Sequence, residues 1–491
     1  MKRKIKKFLF KVGKRNVFWC DYCNIPVLIN QCPKCGEKTK ILKISPPKDL
    51  KPAWEYDLQL IRKAIDDDYG HGIGSKIIPN NKVIMLNKIT GIDAANEVIV
   101  DGKVIGIIMY DIQKWKWQFI PKIEGARRIH KYNGKKWIKV DEEAAKRISN
   151  KMNVLSVGVT DLDDSICKGD YVYIVTPNDE VIAVGKARGS CMEIKGGSIN
   201  IAVKTKYADI PREACENKVS SSWEEVVYVN REYIMQKIKL TCNFITEVSS
   251  KNRDLPQIVA FSGGKDSACT LSLVLECLGD SNVKIVFLDT GLEFPETVRY
   301  TVKLMEDLGL RNNFIYETAS DVFWKKAKEI GPPSRDYRWC CKVCKLNLMS
   351  KIIKKELGGK CLTFTGQRMY ESMSRAYQPK VTVTIQVPGQ VKASPIQDWN
   401  ALEVWLFLSY KRIKVNPLYF MGFDRIGCYM CPASDLADFE NVKKIHPNIW
   451  ERWEEFLKEW AMKHGFNNNW IKYGLWRWRR LPGYWKSILK G

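Results

Sequence analysis

One short glycine-rich segment carries residue types that could bind a phosphate. Residues 261–267 read Phe-Ser-Gly-Gly-Lys-Asp-Ser and follow an apolar run, so the pattern predicts a strand, a tight turn and a helix. Glycines let backbone N–H groups approach a phosphate, and a helix N-terminus adds partial positive charge. The spacing differs from that of the Walker P-loop. The predicted nucleotide-binding residues are Ser262, Gly263, Gly264, Lys265, Asp266 and Ser267.

The charged pair within this segment predicts two different roles. Lys265 brings a full positive charge to a phosphate, whereas Asp266 suits a Mg²⁺ ion that bridges phosphates. The alternative is a glycine turn that closes an ordinary strand–helix unit. A string of this composition between a strand and a helix favours the phosphate site over that alternative.

Alternating strands and helices must hold this segment in place. Apolar runs at 284–288 and 361–365, with helical patterns between them, predict a doubly wound α/β domain with a parallel sheet. Ligands of such sheets bind at the carboxyl ends of the strands. We therefore expect Asp289, Thr290 and Gly291, which follow the second run, to join the nucleotide site, with Asp289 reading an adenosine hydroxyl or base.

Four motifs together resemble the PAPS reductase family of the adenine-nucleotide α-hydrolases, the PP-loop or N-type ATP pyrophosphatases with a HUP-like fold. They are residues 262–267, residues 289–297, Thr-Gly-Gln-Arg-x-x-Glu-Ser-x-x-Arg at 365–375, and Ser-Pro-Ile-Gln-Asp-Trp at 394–399. The resemblance covers roughly residues 230–435. It implies an ATP and Mg²⁺ site at which attack on the α-phosphate releases pyrophosphate. Arginine suits bidentate phosphate contact, and the implied catalytic residues are Lys265, Asp266, Arg368 and Arg375.

Two sets of cysteines have the spacing of metal ligands. Cys20, Cys23, Cys32 and Cys35 form two CxxC pairs, a strong signal for a structural zinc ribbon. The resemblance implies a [4Fe–4S] cluster for the second set, because cluster-binding members carry adjacent cysteines and a distant CxxC. That pattern fits Cys340, Cys341, Cys428 and Cys431, although Cys344 in place of Cys340 would give an acceptable zinc site, and we favour the cluster. The remaining cysteines are predicted to be small core residues: 167, 191, 215, 242, 269, 277 and 361.

The net charge of +25 points to a polyanionic partner, although a solvated basic surface is the alternative. Eight basic residues at positions 2–15 form either a nucleic-acid arm or a frayed tail. No apolar run approaches the roughly 20 residues that span a bilayer, so we predict a cytoplasmic protein without a membrane partner. Its oligomeric state stays open.

We divide the chain into five segments. These are a basic arm and zinc ribbon (1–45), a mixed α/β segment (46–134), a β-rich module (135–210), the PAPS reductase-like domain (211–435) and a Trp/Arg-rich extension (436–491). The module resembles the β-barrel-like PUA domain through Gly158, Ile166, Lys168-Gly-Asp170 and Gly185-Lys-Ala187, which implies RNA docking. Trp476-Arg-Trp-Arg-Arg480 suits stacking on RNA bases. The tryptophans predicted to lie in the core are Trp399, Trp405, Trp450, Trp453 and Trp460.

The leading hypothesis for function is ATP-dependent adenylylation of an RNA base, followed by thiolation from a sulfur donor, with tRNA as the natural substrate. An APS or PAPS reductase is the alternative. The intact Lys265-Asp266-Ser267 and the lack of a cysteine after Cys431 argue against it. A third hypothesis is an RNA-binding protein whose nucleotide site serves as a sensor.

Overall fold

The computed structural model describes residues 16–483 and residue 485. The chain divides into two compact units, and the division falls between residues 230 and 231. The basic residues at 2–15, predicted to be an arm or a tail, lie outside the described residues. Within the described part of the chain, no helix is both long and apolar enough to cross a membrane.

The first unit begins with a small three-stranded antiparallel sheet in the order β2-β1-β3. A five-stranded antiparallel sheet follows, with its strands in chain order. Asp101 and Gly102 join β6 to β7 with φ of 51° and 67°, the left-handed conformations that a tight hairpin requires, as the sequence predicted. The strands are β1 (Phe18–Cys20), β2 (Ile25–Val27), β3 (Lys40–Ile41), β4 (Leu50–Pro52), β5 (Met85–Lys88), β6 (Ala95–Val100), β7 (Lys103–Asp111) and β8 (Lys116–Pro121). The helices are α1 (Glu55–Tyr69), α2 (Ile73–Ile77) and α3 (Ile123–Lys131).

The β-rich module completes the first unit. Its six strands run in the order β10-β14-β13-β12-β9-β11, and β12 pairs with β9 in parallel. Tyr173, Val175 and Val184 share one hydrophobic core with the five-stranded sheet and its helices, so the two sheets are packed together. The strands are β9 (Trp137–Val140), β10 (Val154–Leu155), β11 (Val159–Leu162), β12 (Tyr171–Val175), β13 (Val181–Ala187) and β14 (Ile201–Ala208). The helices are α4 (Glu142–Ser149), α5 (Cys191–Lys195) and α6 (Trp223–Val229).

The second unit contains the doubly wound α/β domain that the sequence predicted. The sheet order is β17-β16-β15-β18-β20-β19, parallel except for the antiparallel edge strand β19. Its strands are β15 (Gln257–Phe261), β16 (Lys284–Asp289), β17 (Phe314–Thr318), β18 (Cys361–Thr365), β19 (Val381–Val383) and β20 (Gln390–Ala393). The helices are α7 (Arg231–Lys251), α8 (Lys265–Leu278), α9 (Pro295–Asp307), α10 (Val322–Ile330), α11 (Trp339–Cys341), α12 (Asn347–Glu356), α13 (Met373–Ala376), α14 (Ala401–Tyr410), α15 (Leu436–Ile445), α16 (Pro447–His464) and α17 (Asn468–Lys472).

The C-terminal aromatic residues fill a core. Trp450, Trp453, Trp399 and Trp405 are buried as predicted, whereas Trp460 is half-buried. The stacking role predicted for Trp476 is wrong, because this ring is 3% exposed and packs on Trp453 with centroids 5.1 Å apart. Its neighbour Arg477 is also buried and donates to the Ser434 carbonyl at 2.7 Å. Neither side chain offers a surface to a base.

The prediction for the scattered cysteines is confirmed in part. Cys191, Cys269 and Cys361 are buried, but Cys167 and Cys215 are exposed. Cys242 and Cys277 are half-buried and form a disulfide between α7 and α8, so their prediction as small core residues is wrong. The two positions are 35 residues apart, and only the packing of one helix on the other brings their thiols together.

Candidate functional site

The predicted phosphate segment lies at a reversal in the order of the parallel sheet. Strands β16 and β17 follow one another on one side of β15, whereas β18 and β20 lie on the other side. Phe261 pairs in register with Phe287, and Ala260 with Thr365, so the loops after β15 and β18 emerge side by side. In open α/β sheets the crevice at such a reversal is where ligands bind.

The glycine segment forms a tight turn into α8. Gly263 has φ of +73°, and a Cβ at this position would lie 2.7 Å from Cγ2 of Thr297. Ser267 Oγ donates to the Gly264 carbonyl at 2.8 Å and accepts the Ser262 N–H at 3.2 Å, so it closes the turn from inside. The two serines therefore shape the loop in addition to any contact with a ligand.

A later segment of the chain caps this turn. The Tyr419 hydroxyl accepts the backbone N–H of Lys265 at 2.8 Å, and Asn416 Nδ2 donates to the Gly263 carbonyl at 3.2 Å. The cap thus occupies one of the first backbone donors of α8, the kind of group that meets a phosphate at a helix N-terminus. Sequence analysis missed both residues, since they follow the glycines by about 150 positions and belong to none of the motifs quoted for the site.

Ion pairs join the two loops that follow β15 and β18 at the reversal of strand order. Asp266 lies 2.7 Å from Nζ of Lys265 and 2.6 Å from Nε of Arg368. Burial alone would raise the pKa of Asp266, but the charges of Arg368 and Lys265 hold it below the usual value. To bind a Mg²⁺ ion, this carboxylate would have to release Lys265 or Arg368. The role of Asp266 as a metal ligand therefore stays a prediction. Arg375 is placed elsewhere, in an ion pair with Glu371 on the loop before α13.

Gly366 lets the arginine loop approach α8. An added Cβ would lie 2.5 Å from the carbonyl carbon of Asp266 and 2.7 Å from the Ser267 nitrogen, both backbone atoms. We expect Gly366→Ala to lower the free energy of unfolding by about 1–3 kcal/mol, the usual cost of an overpacked contact. Urea denaturation measures this change. Gly427→Ala is the control, since its Cβ would meet nothing within 4 Å. Equal stability of the two variants would contradict the close approach.

The loop after β16 faces the second cysteine set. The Asp289 carboxylate accepts a hydrogen bond from the Gly291 N–H at 2.8 Å. This side chain therefore stabilises its own turn, in addition to any contact with a ligand. Thr290 is 2% exposed, and its hydroxyl lies 3.1 Å from Glu293 Oε1 and 3.4 Å from Cys428 Sγ. The predicted nucleotide loop is therefore in direct contact with a predicted cluster ligand.

The second cysteine set draws on two distant segments. Cys340 and Cys341 end α11, which continues into a π-helical turn (Lys342–Leu346), a distortion frequent at functional sites. A hydrogen bond from Cys340 lowers the pKa of Cys341 to about 6, while burial raises that of Cys428 to about 12. The Cys340 thiol also interacts electrostatically with Cys428 and Cys431, so the fold places the two segments near each other.

Two further residues adjoin this set. Lys345 lies 3.5 Å from Glu293 Oε1, and the charge of Glu293 raises the pKa of Lys345. Sequence analysis missed both as site residues, because no motif marks a lysine that pairs with a glutamate about 50 positions earlier. Cys344, the alternate ligand, is buried, and burial raises its pKa to about 11.

The donor geometry separates the two cysteine sets. Four sulfurs around one tetrahedral zinc at 2.3 Å lie about 3.8 Å apart. In the first set Cys20 Sγ is 3.5 Å from Cys35 Sγ, and Cys32 Sγ is 3.9 Å from Cys23 Sγ. Among the described residues this is the group of potential ligands whose atoms all lie within 4.8 Å of one another. The first set can hold a metal such as zinc, whereas among the described residues the second set forms no group with all its sulfurs within 4.8 Å.

Comparison with known proteins gives two domain assignments. The family model of the phosphoadenosine phosphosulfate reductase domain matches residues 256–434, and that of the PUA domain matches residues 136–207. The uncharacterized protein MJ0066 of Methanocaldococcus jannaschii is 37% identical over 475 residues, which cover 95% of this chain and 97% of the relative. The chain therefore contains a PAPS reductase domain and a PUA domain, and it belongs to one family with MJ0066.

Relatives with named activities match a smaller part of the chain. An adenosine 5'-phosphosulfate reductase of a Chelativorans species is 28% identical over 170 residues, 35% of this chain and 66% of the relative. The crystal structure of a PAPS reductase from Candida auris, a phosphate complex, covers 43% of this chain and 98% of its own, with 17% identity and a TM-score of 0.31. The shared domain indicates an enzyme that uses a nucleotide.

Proposed function

We propose that this protein adenylylates a base of an RNA, most simply a tRNA, with ATP and then replaces the activated oxygen by sulfur. The observation that carries the proposal is the 3.4 Å contact between Thr290 and Cys428. This contact joins the loop that we expect to bind a nucleotide to a group of thiols of the kind that takes part in sulfur transfer. The PUA domain at residues 136–207 supports RNA as the molecule that is activated.

The first step needs a nucleophile and positively charged groups that bind the phosphates. It forms no covalent intermediate with the enzyme. The carbonyl oxygen of a base attacks the α-phosphorus of ATP, the bond to the bridging oxygen breaks, and pyrophosphate leaves with its electrons. Lys265 and Arg368 stand on the two sides of the crevice and would stabilise the charge that builds up on the phosphates. The half-buried Arg375 lies on α13, after the Arg368 loop. It would contact the same phosphates once its ion pair with Glu371 breaks. Mg²⁺ would neutralise the same charge, with Asp266 as the proposed ligand.

The second step replaces oxygen by sulfur at the activated carbon. A sulfide equivalent from a sulfur donor attacks that carbon, and AMP leaves with the former base oxygen. A [4Fe–4S] cluster on Cys340, Cys341, Cys428 and Cys431 would supply a thiophilic metal that binds sulfide. Adjacent cysteines such as Cys340 and Cys341 seldom serve one tetrahedral zinc ion, which supports a cluster over a single zinc ion.

Reduction of a sulfonucleotide is the second candidate. The identity with adenosine 5'-phosphosulfate reductases over the α/β domain favours it, because their substrate carries the same adenosine phosphate. The two reactions differ in what stimulates them. Adenylylation consumes ATP and requires RNA, whereas reduction releases sulfite from APS or PAPS without RNA.

Anaerobically prepared protein distinguishes these reactions. We expect pyrophosphate from ATP only when total tRNA is present, and no sulfite from APS or PAPS with a thiol reductant. Sulfite release without RNA would favour the reductase. RNA binding without turnover of ATP, APS or PAPS would leave a nucleotide sensor as the better hypothesis. Nucleoside mass spectrometry of RNA from a deletion strain then identifies the base.

Metal analysis tests the second cysteine set. We expect about four irons per chain and a brown colour with broad absorbance near about 400 nm, as thiolate-bound clusters give. Cys428→Ser should remove the iron and colour, while Cys167→Ser, at an exposed cysteine in the other unit, should not. Stoichiometric zinc in place of iron at this set would overturn the cluster.

A further inference from the structure

The first turn of α8 carries backbone donors that have no partner within the helix. The N–H groups of Lys265, Asp266 and Ser267 cannot bond to carbonyls four positions earlier, because those carbonyls lie outside the helix. Such donors, together with the partial positive charge of the helix end, attract a phosphate. One of the three already has an acceptor, since the Lys265 N–H donates to the Tyr419 hydroxyl at 2.8 Å. This side chain therefore occupies a position where a phosphate oxygen would otherwise bind.

The Tyr419 hydroxyl still has a hydrogen to donate. A phenol accepts through its oxygen and donates one hydrogen, and here the oxygen accepts from Lys265. Among residues 16–483 and 485, no acceptor is paired with that hydrogen. The side chain is 5% exposed, and a buried donor without an acceptor is costly. The hydroxyl thus needs an acceptor that the described chain does not supply.

Packing fixes the position of this hydroxyl. Tyr419 lies in a short 3₁₀ turn (Pro417–Met421), and its ring meets that of Trp405 edge-on, with centroids 5.2 Å apart. Asn416, directly before the turn, donates to the Gly263 carbonyl and so joins the turn to the glycine segment. A donor that is already held in place loses little freedom when a charged ligand binds.

The surroundings of the hydroxyl suit an anion. A Cβ on Gly264 would lie 3.3 Å from the Tyr419 oxygen, so glycine keeps the space beside the hydroxyl free of a side chain. On the same turn, Lys265 and Arg368 supply two positive charges against the single negative charge of Asp266. The hydroxyl therefore lies among backbone donors and an excess of positive charge.

The hydroxyl keeps its hydrogen at neutral pH. The ordinary pKa of a tyrosine is about 10, and burial raises the pKa of Tyr419 further. The hydrogen bond that arrives from the Lys265 N–H polarises the O–H group and strengthens it as a donor. Phosphate oxygens are acceptors only, so they match a donor of this kind.

We propose that Tyr419 is a phosphate-binding residue, whose hydroxyl donates to a phosphate oxygen of the bound nucleotide while it accepts the Lys265 N–H. The hydroxyl thereby extends the anion site at the helix end by one donor, and the phosphate lies one group farther from α8 than it would on the bare N–H. The inference rests on the proposed function only in placing a nucleotide in this crevice. It holds equally for ATP, APS and PAPS, since each carries an adenosine phosphate.

Calorimetric titration of the full chain with Mg²⁺ and α,β-methylene-ATP measures this contact without turnover, because the analogue is not cleaved between its α- and β-phosphorus. We expect Tyr419→Phe to bind the analogue about tenfold or more weakly, the usual effect of losing a hydrogen bond to a charged group. Adenosine, which has no phosphate, should bind the variant as it binds the wild type. Phenylalanine keeps the ring against Trp405, so the fold should persist, and circular dichroism checks this.

Tyr300→Phe is the matched control. The Tyr300 hydroxyl donates to the Lys414 carbonyl at 3.0 Å, and its ring lies 6.3 Å from that of Phe261, next to the glycine segment. This hydroxyl already has an acceptor, so we expect its removal to leave the affinity for α,β-methylene-ATP unchanged.

Four results would overturn the proposal. They are a wild type that does not bind the analogue, equal affinity of the wild type and Tyr419→Phe, equal weakening in Tyr300→Phe, and a parallel loss of adenosine affinity in Tyr419→Phe. Tighter binding by Tyr419→Phe would also overturn it, because the hydroxyl would then compete with the phosphate for the helix end.

The pyrophosphate assay keeps this proposal distinct from the proposed function. Weaker nucleotide binding by Tyr419→Phe, without RNA-stimulated pyrophosphate release by the wild type, would support the phosphate contact and refute adenylylation. RNA-stimulated release by the wild type, with equal nucleotide affinity in Tyr419→Phe, would support adenylylation and refute the contact.

Discussion

Lys265→Met is expected to reduce RNA-dependent pyrophosphate release by about 100-fold or more, because removal of one preorganised charge that stabilises a transition state costs that much. Lys265 is nearly buried at the first turn of α8, beside Asp266 and opposite Arg368. Initial rates with saturating ATP and tRNA measure the change. Since methionine keeps the length and most of the volume of lysine, the fold should persist, and circular dichroism checks this.

Lys325→Met is the matched control for the loss of Lys265. It makes the same substitution at an exposed lysine of α10, and we expect the wild-type rate. The affinity of the Lys265→Met protein for tRNA should also be unchanged, because the substitution lies in the second unit, outside the PUA domain. A rate within about threefold of the wild type would contradict a role for Lys265 in charge stabilisation.

We predict that the first cysteine set binds zinc, so Cys32→Ser is expected to abolish this binding and to unfold the ribbon formed by residues 16–44. Structural zinc contributes about 10 kcal/mol or more to the folding of such small sites, and this ribbon has only strands of two or three residues. The Gly36 N–H donates to the Cys32 carbonyl at 2.8 Å, so Cys32 also anchors the second knuckle. We expect loss of one zinc per chain in elemental analysis and new proteolytic cleavage within residues 16–44.

Cys167→Ser is the control for this change, since Cys167 is an exposed free thiol in the same unit. Its zinc content and protease resistance should match the wild type. Ribbon unfolding also has an optical readout, because Trp19 on β1 is 2% exposed and would enter water. Full zinc content in Cys32→Ser would show that the ribbon cysteines do not hold the metal.

Local signals were sufficient for much of the fold. The hairpin at Asp101 and Gly102 could be predicted because positive φ at two adjacent positions restricts the residue types to very few. The α/β class could be predicted because buried parallel strands leave continuous apolar runs such as 284–288. The four cysteines of the ribbon could be predicted because the two ligands of each knuckle are only three positions apart.

Contacts between positions that are distant in the sequence could not be predicted from such local signals. Trp476 and Arg477 have the residue types of an RNA-binding strip, but packing on Phe439 and Trp453 buries them. Cys242 and Cys277 carry no spacing signal for a disulfide. In each case the residue type allows several roles, and the choice depends on a partner that only folding brings near.

The glycine segment, the arginine loop and the first cysteine set could be predicted from the sequence, because each is a short run whose residue types have few uses. The tertiary structure decided how they are connected. It brought Tyr419 onto the Lys265 N–H, Arg368 onto Asp266 and Thr290 onto Cys428. It also packed the PUA sheet and the five-stranded sheet around one shared core. These pairs lie about 100 or more positions apart, and the order of the parallel strands, which no local pattern encodes, sets their proximity.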